Sequence, residues 1–222
     1  MRFRAYTPDV AHDDDLGSNE ALDPAIEDAI AYLRGHLSGL LRFDGDHRPV
    51  KVIVADDGKL VAPAMVSMLR SLETILFLPD EEETSMHLQV TLDQFEESGE
   101  RGALCDRWRI YHGDPPDVRW AVMSIDAARF DGLFIDGEAM TRPNPLARQV
   151  PAICRTLNAT HSELLRKACL AHAKIGVEKP VAVGVDPYGI DVRGAFDIIR
   201  LESPIVLRHE QDTLEALLEL VG

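Results

Sequence analysis

Apolar side chains recur at three- and four-residue spacing from Ile26 onward, with Ala29, Ile30, Leu33, Leu37, Leu40 and Leu41 on the same stripe. Asp23 stands where an N-cap belongs and Pro24 at the first helical position, so the pattern predicts an amphipathic helix running to Leu41, about five turns at the 3.6-residue repeat. The preceding residues, 1–22, are polar and acidic without a period, and are expected to form a flexible arm.

The period then shortens. Val50 to Ala55 and Leu60 to Val66 are β-branched or apolar runs flanking Asp56-Asp57-Gly58, a turn chemistry that favours a hairpin. Thr74 to Leu78 reads as a further strand, closed by Pro79 and the acidic run Asp80 to Glu83. From His87 to Phe95, Leu88, Val90 and Leu92 alternate with Gln89, Thr91 and Asp93. Trp108 to His112 and Arg119 to Ile125 read as two more strands about the turn Gly113-Asp114-Pro115-Pro116, and Leu133 to Ile135 as a short last one. Short strands with Gly or Pro turns and no βαβ rhythm place the chain in the α+β class, its body a barrel or sandwich.

Pro143 and Pro145 mark a boundary between this body, residues 23–142, and a smaller unit, residues 143–222. There Thr160-His161-Ser162-Glu163 has capping-box spacing and opens a helix with His161, Leu164, Leu165, Ala168 and His172 on one face. Leu157-Asn158 is expected to lie in a loop before it. Val181 to Val185 and Ile190 to Val192 flank the turn Asp186-Pro187-Tyr188-Gly189, Phe196 to Leu201 adds a third strand, and Leu214, Leu217, Leu218 and Val221 form the apolar face of a terminal helix.

Charge narrows the classes of partner. Against 23 basic side chains stand 38 acidic ones, a formal charge of -15, and such a surface repels phosphate backbones and anionic lipid. Nucleic acid and membrane are therefore not expected partners. Cys105, Cys154 and Cys169 are odd in number and lack C-x-x-C spacing, which fits reduced core thiols; with no apolar secretory segment near Met1 and no membrane-length apolar run, a cytoplasmic protein is expected.

Two stretches carry a resemblance. Residues 153–221, with Leu157-Asn158-Ala159-Thr160-His161, the hairpin Val183-Gly184-Val185-Asp186-Pro187-Tyr188-Gly189-Ile190-Asp191 and a leucine-rich last helix, resemble the small C-terminal domain of haem-utilisation proteins. Residues 50–138, especially Asp57-Gly58 and Trp120 to Gly132, resemble the split barrel of pyridoxamine-phosphate-oxidase type that precedes it in that family. The resemblance implies a split β-barrel with an N-terminal helix and a small C-terminal helix-hairpin-helix domain, assembled as a homodimer. It implies haem or FMN as cofactor. Its members include haem-degrading proteins, regulators of the tetrapyrrole pathway and flavin oxidoreductases, and one scaffold does not choose among chemistries. Three readings follow: a tetrapyrrole-binding or regulatory protein, an FMN-dependent oxidoreductase, and a non-catalytic interaction module.

Residue chemistry ranks them. An FMN phosphate is a dianion needing cationic or hydroxyl donors, yet the stretch where the resemblance places it holds Asp80-Glu81-Glu82-Glu83, leaving Lys51, Lys59, Ser67, Arg70 and Ser71, with Thr84 and Ser85, as donors. A haem would need an axial ligand. His209 is the candidate by the resemblance, and His112, beside Tyr111 and near Trp108 and Trp120, by composition. Read as strand neighbours, Trp108, Ile110 and His112 share a face that is core or a porphyrin surface. His161 and His172 lie about 16 Å apart along a helix and cannot share an ion, so no metal site is expected. No nucleophile elbow or glycine-rich phosphate loop is present, so no catalytic residue is singled out.

Overall fold

The computed structural model describes residues 23–117, 119–195 and 197–222; the expected arm, residues 1–22, lies outside them. The first helix, α1 (Pro24–Gly35), is capped by the Asp23 carboxylate, which accepts from the Ala25 N–H at 3.0 Å. It stops six residues before Leu41. Ser38–Phe43 is instead β1, paired with β2 (Asp46–Lys51) on one side and β5 (Thr74–Leu78) on the other. Two ladders of backbone hydrogen bonds outweigh a helical period in side chains that also suit a buried strand. Gly39 permits the approach, since a Cβ there would stand 2.1 Å from the Phe77 carbonyl oxygen. The β1–β2 turn is Asp44-Gly45, both at positive φ (46° and 85°), as a two-residue hairpin requires.

The strands β3 (Ile53–Val54) and β4 (Leu60–Ala64) form the expected Asp57-Gly58 hairpin, followed by a short helix α2 (Val66–Arg70). The strands β6 (Met86–Phe95), β7 (Arg119–Phe130) and β8 (Leu133–Asp136) complete an antiparallel sheet ordered β2-β1-β5-β6-β7-β4-β3, with β8 on β7. This curled sheet is the split barrel, and α4 (Gly137–Met140) follows it.

Trp108 to His112 is not a strand. It is the end of helix α3 (Gly102–His112), whose buried Cys105, Trp108 and Tyr111 recur every three residues before Gly113, at φ 82°, ends it. The aromatic and β-branched residues of that segment favour a strand locally, and burial of a helical stripe overrides the preference. The shared strand face of Trp108, Ile110 and His112 therefore does not exist. Trp108 is core, packed edge-on against Trp120 at 5.7 Å between ring centres.

Beyond Pro145, α5 (Val150–Thr160) and α6 (Ser162–Ala173) pack on a sheet of β9 (Val181–Asp186), β10 (Gly189–Arg193) and β11 (Ile198–Glu202), with α7 (Glu210–Val221) last. The Leu157-Asn158 pair is helical, not a loop. Thr160, the N-cap that the capping-box spacing predicts, instead ends α5, its hydroxyl donating to the Thr156 carbonyl at 2.7 Å; His161 takes the N-cap position of α6 in its place, without a side-chain cap hydrogen bond. Phe196 lies outside the described residues. Apolar side chains from Ala29 to Met140 form one core, and those from Leu146 to Leu217 a second.

A buried ionic cluster joins the two. The Arg200 guanidinium donates to both oxygens of Asp186 (2.7 and 2.9 Å) and to Asp191 at 3.0 Å, all three side chains being no more than 8% exposed. The Tyr111 hydroxyl of α3 donates to the other Asp191 oxygen at 2.9 Å. Burial opposes ionisation of Asp186, but the Arg200 charge outweighs it and holds the carboxyl below its usual range. At Asp191 burial wins, with Asp186 as a second negative neighbour, and the carboxyl is held above that range despite Arg200. Two glycines of the hairpin leave room here: a Cβ on Gly184 would stand 1.7 Å from the Tyr111 hydroxyl, and one on Gly189 2.4 Å from the Leu201 carbonyl oxygen and 2.8 Å from Arg200 Nε. Asn144 adds a second seam, its N–H donating to the Asp56 carbonyl and its side-chain amide to the Val185 carbonyl, each at 2.8 Å.

Arg200→Met leaves two carboxylates buried without their cation and is expected to cost on the order of 3–5 kcal/mol in urea unfolding. Gly184→Ala is expected to destabilise by roughly 1–3 kcal/mol. Removing the obstructing hydroxyl should relieve part of that loss, so Gly184→Ala with Tyr111→Phe should fall short of the sum of the singles by about 0.5 kcal/mol or more; strict additivity would contradict the steric account.

Candidate functional site

Helix α3 hangs on the backbone of the β2–β3 segment by two ring N–H groups. Trp108 Nε1 donates to the Lys51 carbonyl at 2.9 Å, and His112 Nε2 lies 2.8 Å from the Val52 carbonyl, so it carries the hydrogen. That fixes the imidazole as the Nε2–H tautomer. Its other nitrogen, Nδ1, is buried with no partner among the described residues. Burial pushes the His112 pKa down from 6.5 to about 4, against the Val52 carbonyl, and the ring is neutral near pH 7.

Between α3, β2 and the loop after α3 lies a cavity of about 490 Å³ at the barrel mouth. Pro49, Val50, Pro63, Met68, Pro79 and Trp108 make its apolar wall. Arg48, Lys51 and His112 also line it, facing three carboxylates, Asp80, Asp114 and Asp117. Arg48 is held by Asp117 at 3.2 Å, whereas Lys51 reaches Asp197 only at 3.5 Å and is 41% exposed. Size and lining are those of a small-molecule site.

Of the residues singled out in the sequence, Lys51 and His112 meet in this cavity. Lys59 sits in the β3–β4 turn, and Ser67 and Arg70 project from α2 into solvent. Ser71 donates to the Asp44 carboxylate and to the Glu73 carbonyl, both at 2.9 Å. None of these four lines the cavity. His209 lies in the other unit as the N-cap of α7, in a groove of about 650 Å³ with His161, Ile153, Leu157 and Leu214. The acidic run also divides. Asp80 lines the barrel-mouth cavity, Glu81 binds Arg42 (2.8 Å) and His47 (3.0 Å), and Glu81 to Glu83 border a different groove. Arg48 was missed by sequence reading. The signal for it was Asp44-Gly45, which starts a hairpin and thereby sets Arg48 on the strand that carries Lys51.

No protein-family model matches the chain, and no curated protein matches it in sequence. Among solved structures it is similar to Atu2129, a protein of unknown function from Agrobacterium tumefaciens, with 18% identity and a TM-score of 0.68 over 93% of this chain and 100% of that one. That likeness shows a shared fold. It is also similar to a heme binding protein from Mycobacterium smegmatis, at 20% identity and a TM-score of 0.42 over 90% of this chain and 97% of that one. A pyridoxamine 5'-phosphate oxidase-like protein of Listeria innocua has 15% identity and a TM-score of 0.38, covering 49% of this chain and 99% of that one. Superposition at those two scores is too loose to carry a ligand across. Among the described residues no helix is long and apolar enough to cross a membrane, and no three His, Cys, Asp or Glu side chains converge to hold a metal ion.

The buried imidazole makes stability depend on pH. Above pH 6.5, His112 is neutral folded or unfolded; as pH falls, the unfolded chain takes up its proton first, and the folded one resists until about 4. Its contribution, on the order of 3 kcal/mol, is present above pH 6.5 and is lost between there and 4. His112→Gln, which keeps a donor for the Val52 carbonyl, should flatten the stability profile in that window relative to wild type. Parallel profiles would show that the ring is not the group responsible.

Proposed function

We propose that the protein is a ligand-binding split barrel whose mouth takes a flat, conjugated, anionic molecule, a tetrapyrrole by preference. The observation that carries this is the barrel-mouth cavity itself: an apolar wall of prolines, Met68 and Trp108 beside two cations, Lys51 and Arg48. A planar ring gains by leaving water for such a wall, and carboxylates on separate arms can exchange with the two existing partners, Asp197 and Asp117. The resemblance of the Val183-to-Asp191 hairpin to haem-utilisation proteins points to the same class of ligand.

Haem iron is a separate matter. His112 does not fit an axial ligand, because Nε2 is committed to the Val52 carbonyl and Nδ1 is enclosed. The carboxylates and the ring face would hold the ligand in this cavity, and no catalytic step is proposed. The expected homodimer and cytoplasmic location belong to this same reading.

One observation favours FMN as a second reading. The acidic run expected to repel a phosphate contributes only Asp80 to the cavity, its three glutamates bordering another groove. In that case the cofactor would supply the redox chemistry, and Lys51 and Arg48 would hold its phosphate.

Titration with protoporphyrin IX, followed by tryptophan quenching, should give binding at roughly micromolar concentration, weakened about tenfold or more by Lys51→Glu and by Arg48→Glu. His112→Gln should leave the absorption spectrum of added haem unchanged. FMN binding that tightens in Asp80→Asn, with no porphyrin binding, would favour the flavin. Absence of binding for both at that concentration would remove the proposal.

A further inference from the structure

The outward face of the barrel sheet carries a groove of about 500 Å³, bordered by Ile75, Phe77, Ala127 and Ala128. Phe134, which also borders it, is 85% exposed, and its neighbour Leu133 is 45% exposed. Both belong to β8, which pairs with β7 and has no strand on its other side among the described residues. An edge strand offering bare backbone groups and two large apolar side chains is poorly matched to water and well matched to another protein surface.

The charges around the groove say which surface. Arg42 is occupied, bound to Glu81 at 2.8 Å and lying 5.1 Å over the Phe77 ring. Arg129, directly across the strands from Phe134, has no carboxylate partner among the described residues, and Glu82 and Glu83 have no cation. One face thus presents an unpaired cation, two unpaired carboxylates, an exposed ring and a groove able to receive a ring. A face that carries both halves of each contact is complementary to itself, which is the condition for a two-fold interface.

We infer that a second copy of the chain docks on this face, with Phe134 of each protomer seated in the groove of the other and Arg129 against the partner's Glu82 and the partner's Glu83. The inference rests on the dimeric reading above and adds to it the surface and the residues. It is independent of which ligand the barrel mouth takes.

Sedimentation equilibrium over a micromolar range tests it. Wild type is expected as a dimer and Phe134→Glu as a monomer. Arg129→Glu should weaken association about tenfold or more, and adding Glu82→Arg and Glu83→Arg to it should restore the dimer. These side chains lie at the surface, and circular dichroism confirms that each variant is folded. A monomeric wild type overturns both the dimer and this interface, whatever other partner the face then serves. A dimer unmoved by Phe134→Glu and by Arg129→Glu overturns the interface and leaves the dimer standing.

Discussion

Two carboxylates and a guanidinium enclosed between two apolar cores are the constraint on which the rest of this molecule depends. Asp186 and Asp191 lie at the end of one hairpin strand and within the next, and Arg200 on the third strand reaches both. Buried ions are weak contributors to net stability, yet removing one of a set is expensive because the others cannot leave. The cluster therefore acts more on geometry than on stability. Through Tyr111 it ties α3 to the hairpin of the second unit, and α3 in turn carries Trp108 and His112.

That chain of contacts connects the small unit to the mouth of the barrel. The hydroxyl of Tyr111 points to the ionic cluster, while the ring N–H groups of Trp108 and His112 point to the backbone of Lys51 and Val52. A single helix with three polar tips thus bridges the hairpin and the edge of the sheet. The cavity lies beside the two points at which α3 meets that edge. Its wall is apolar and rigid, rich in proline, and its cations are tethered rather than deeply buried. A binding site with a fixed wall and exchangeable ion pairs suits recognition of a rigid, flat molecule whose charges sit at its periphery.

The division of the acidic run carries a similar lesson about proximity. Asp80 to Glu83 are consecutive, and read as a sequence they form one negative patch. Around a turn they separate: Asp80 faces the barrel mouth and the glutamates the outer face, where Glu81 is bound by Arg42 and His47. Local charge density along a chain is not the potential at a site, which depends on where the turn directs each side chain.

By itself the sequence determined the class of fold and most of its strands. The Asp57-Gly58 hairpin, the alternation of β6, Thr74 to Leu78, and the Asp186-to-Gly189 turn all rest on local signals, namely φ preferences and a two-residue period that no distant contact needed to confirm. The glycines at 184 and 189 were legible as part of a motif, but their reason was not, because it lies in Tyr111 for the first and in the Leu201 carbonyl and Arg200 for the second. Only the tertiary structure decided that Leu40 and Leu41 belong to a strand and Trp108 to His112 to a helix. Those segments satisfy both periods locally, and the choice was made by partners far along the chain: two flanking strands for β1, the first core and the ionic cluster for α3. The site was decided in the same way. Lys51 was visible as a cation and Arg48 was not, and neither could be placed beside Pro79, Trp108 and Asp117 until the sheet had curled, since a cavity is a property of surfaces brought together and not of any residue in it.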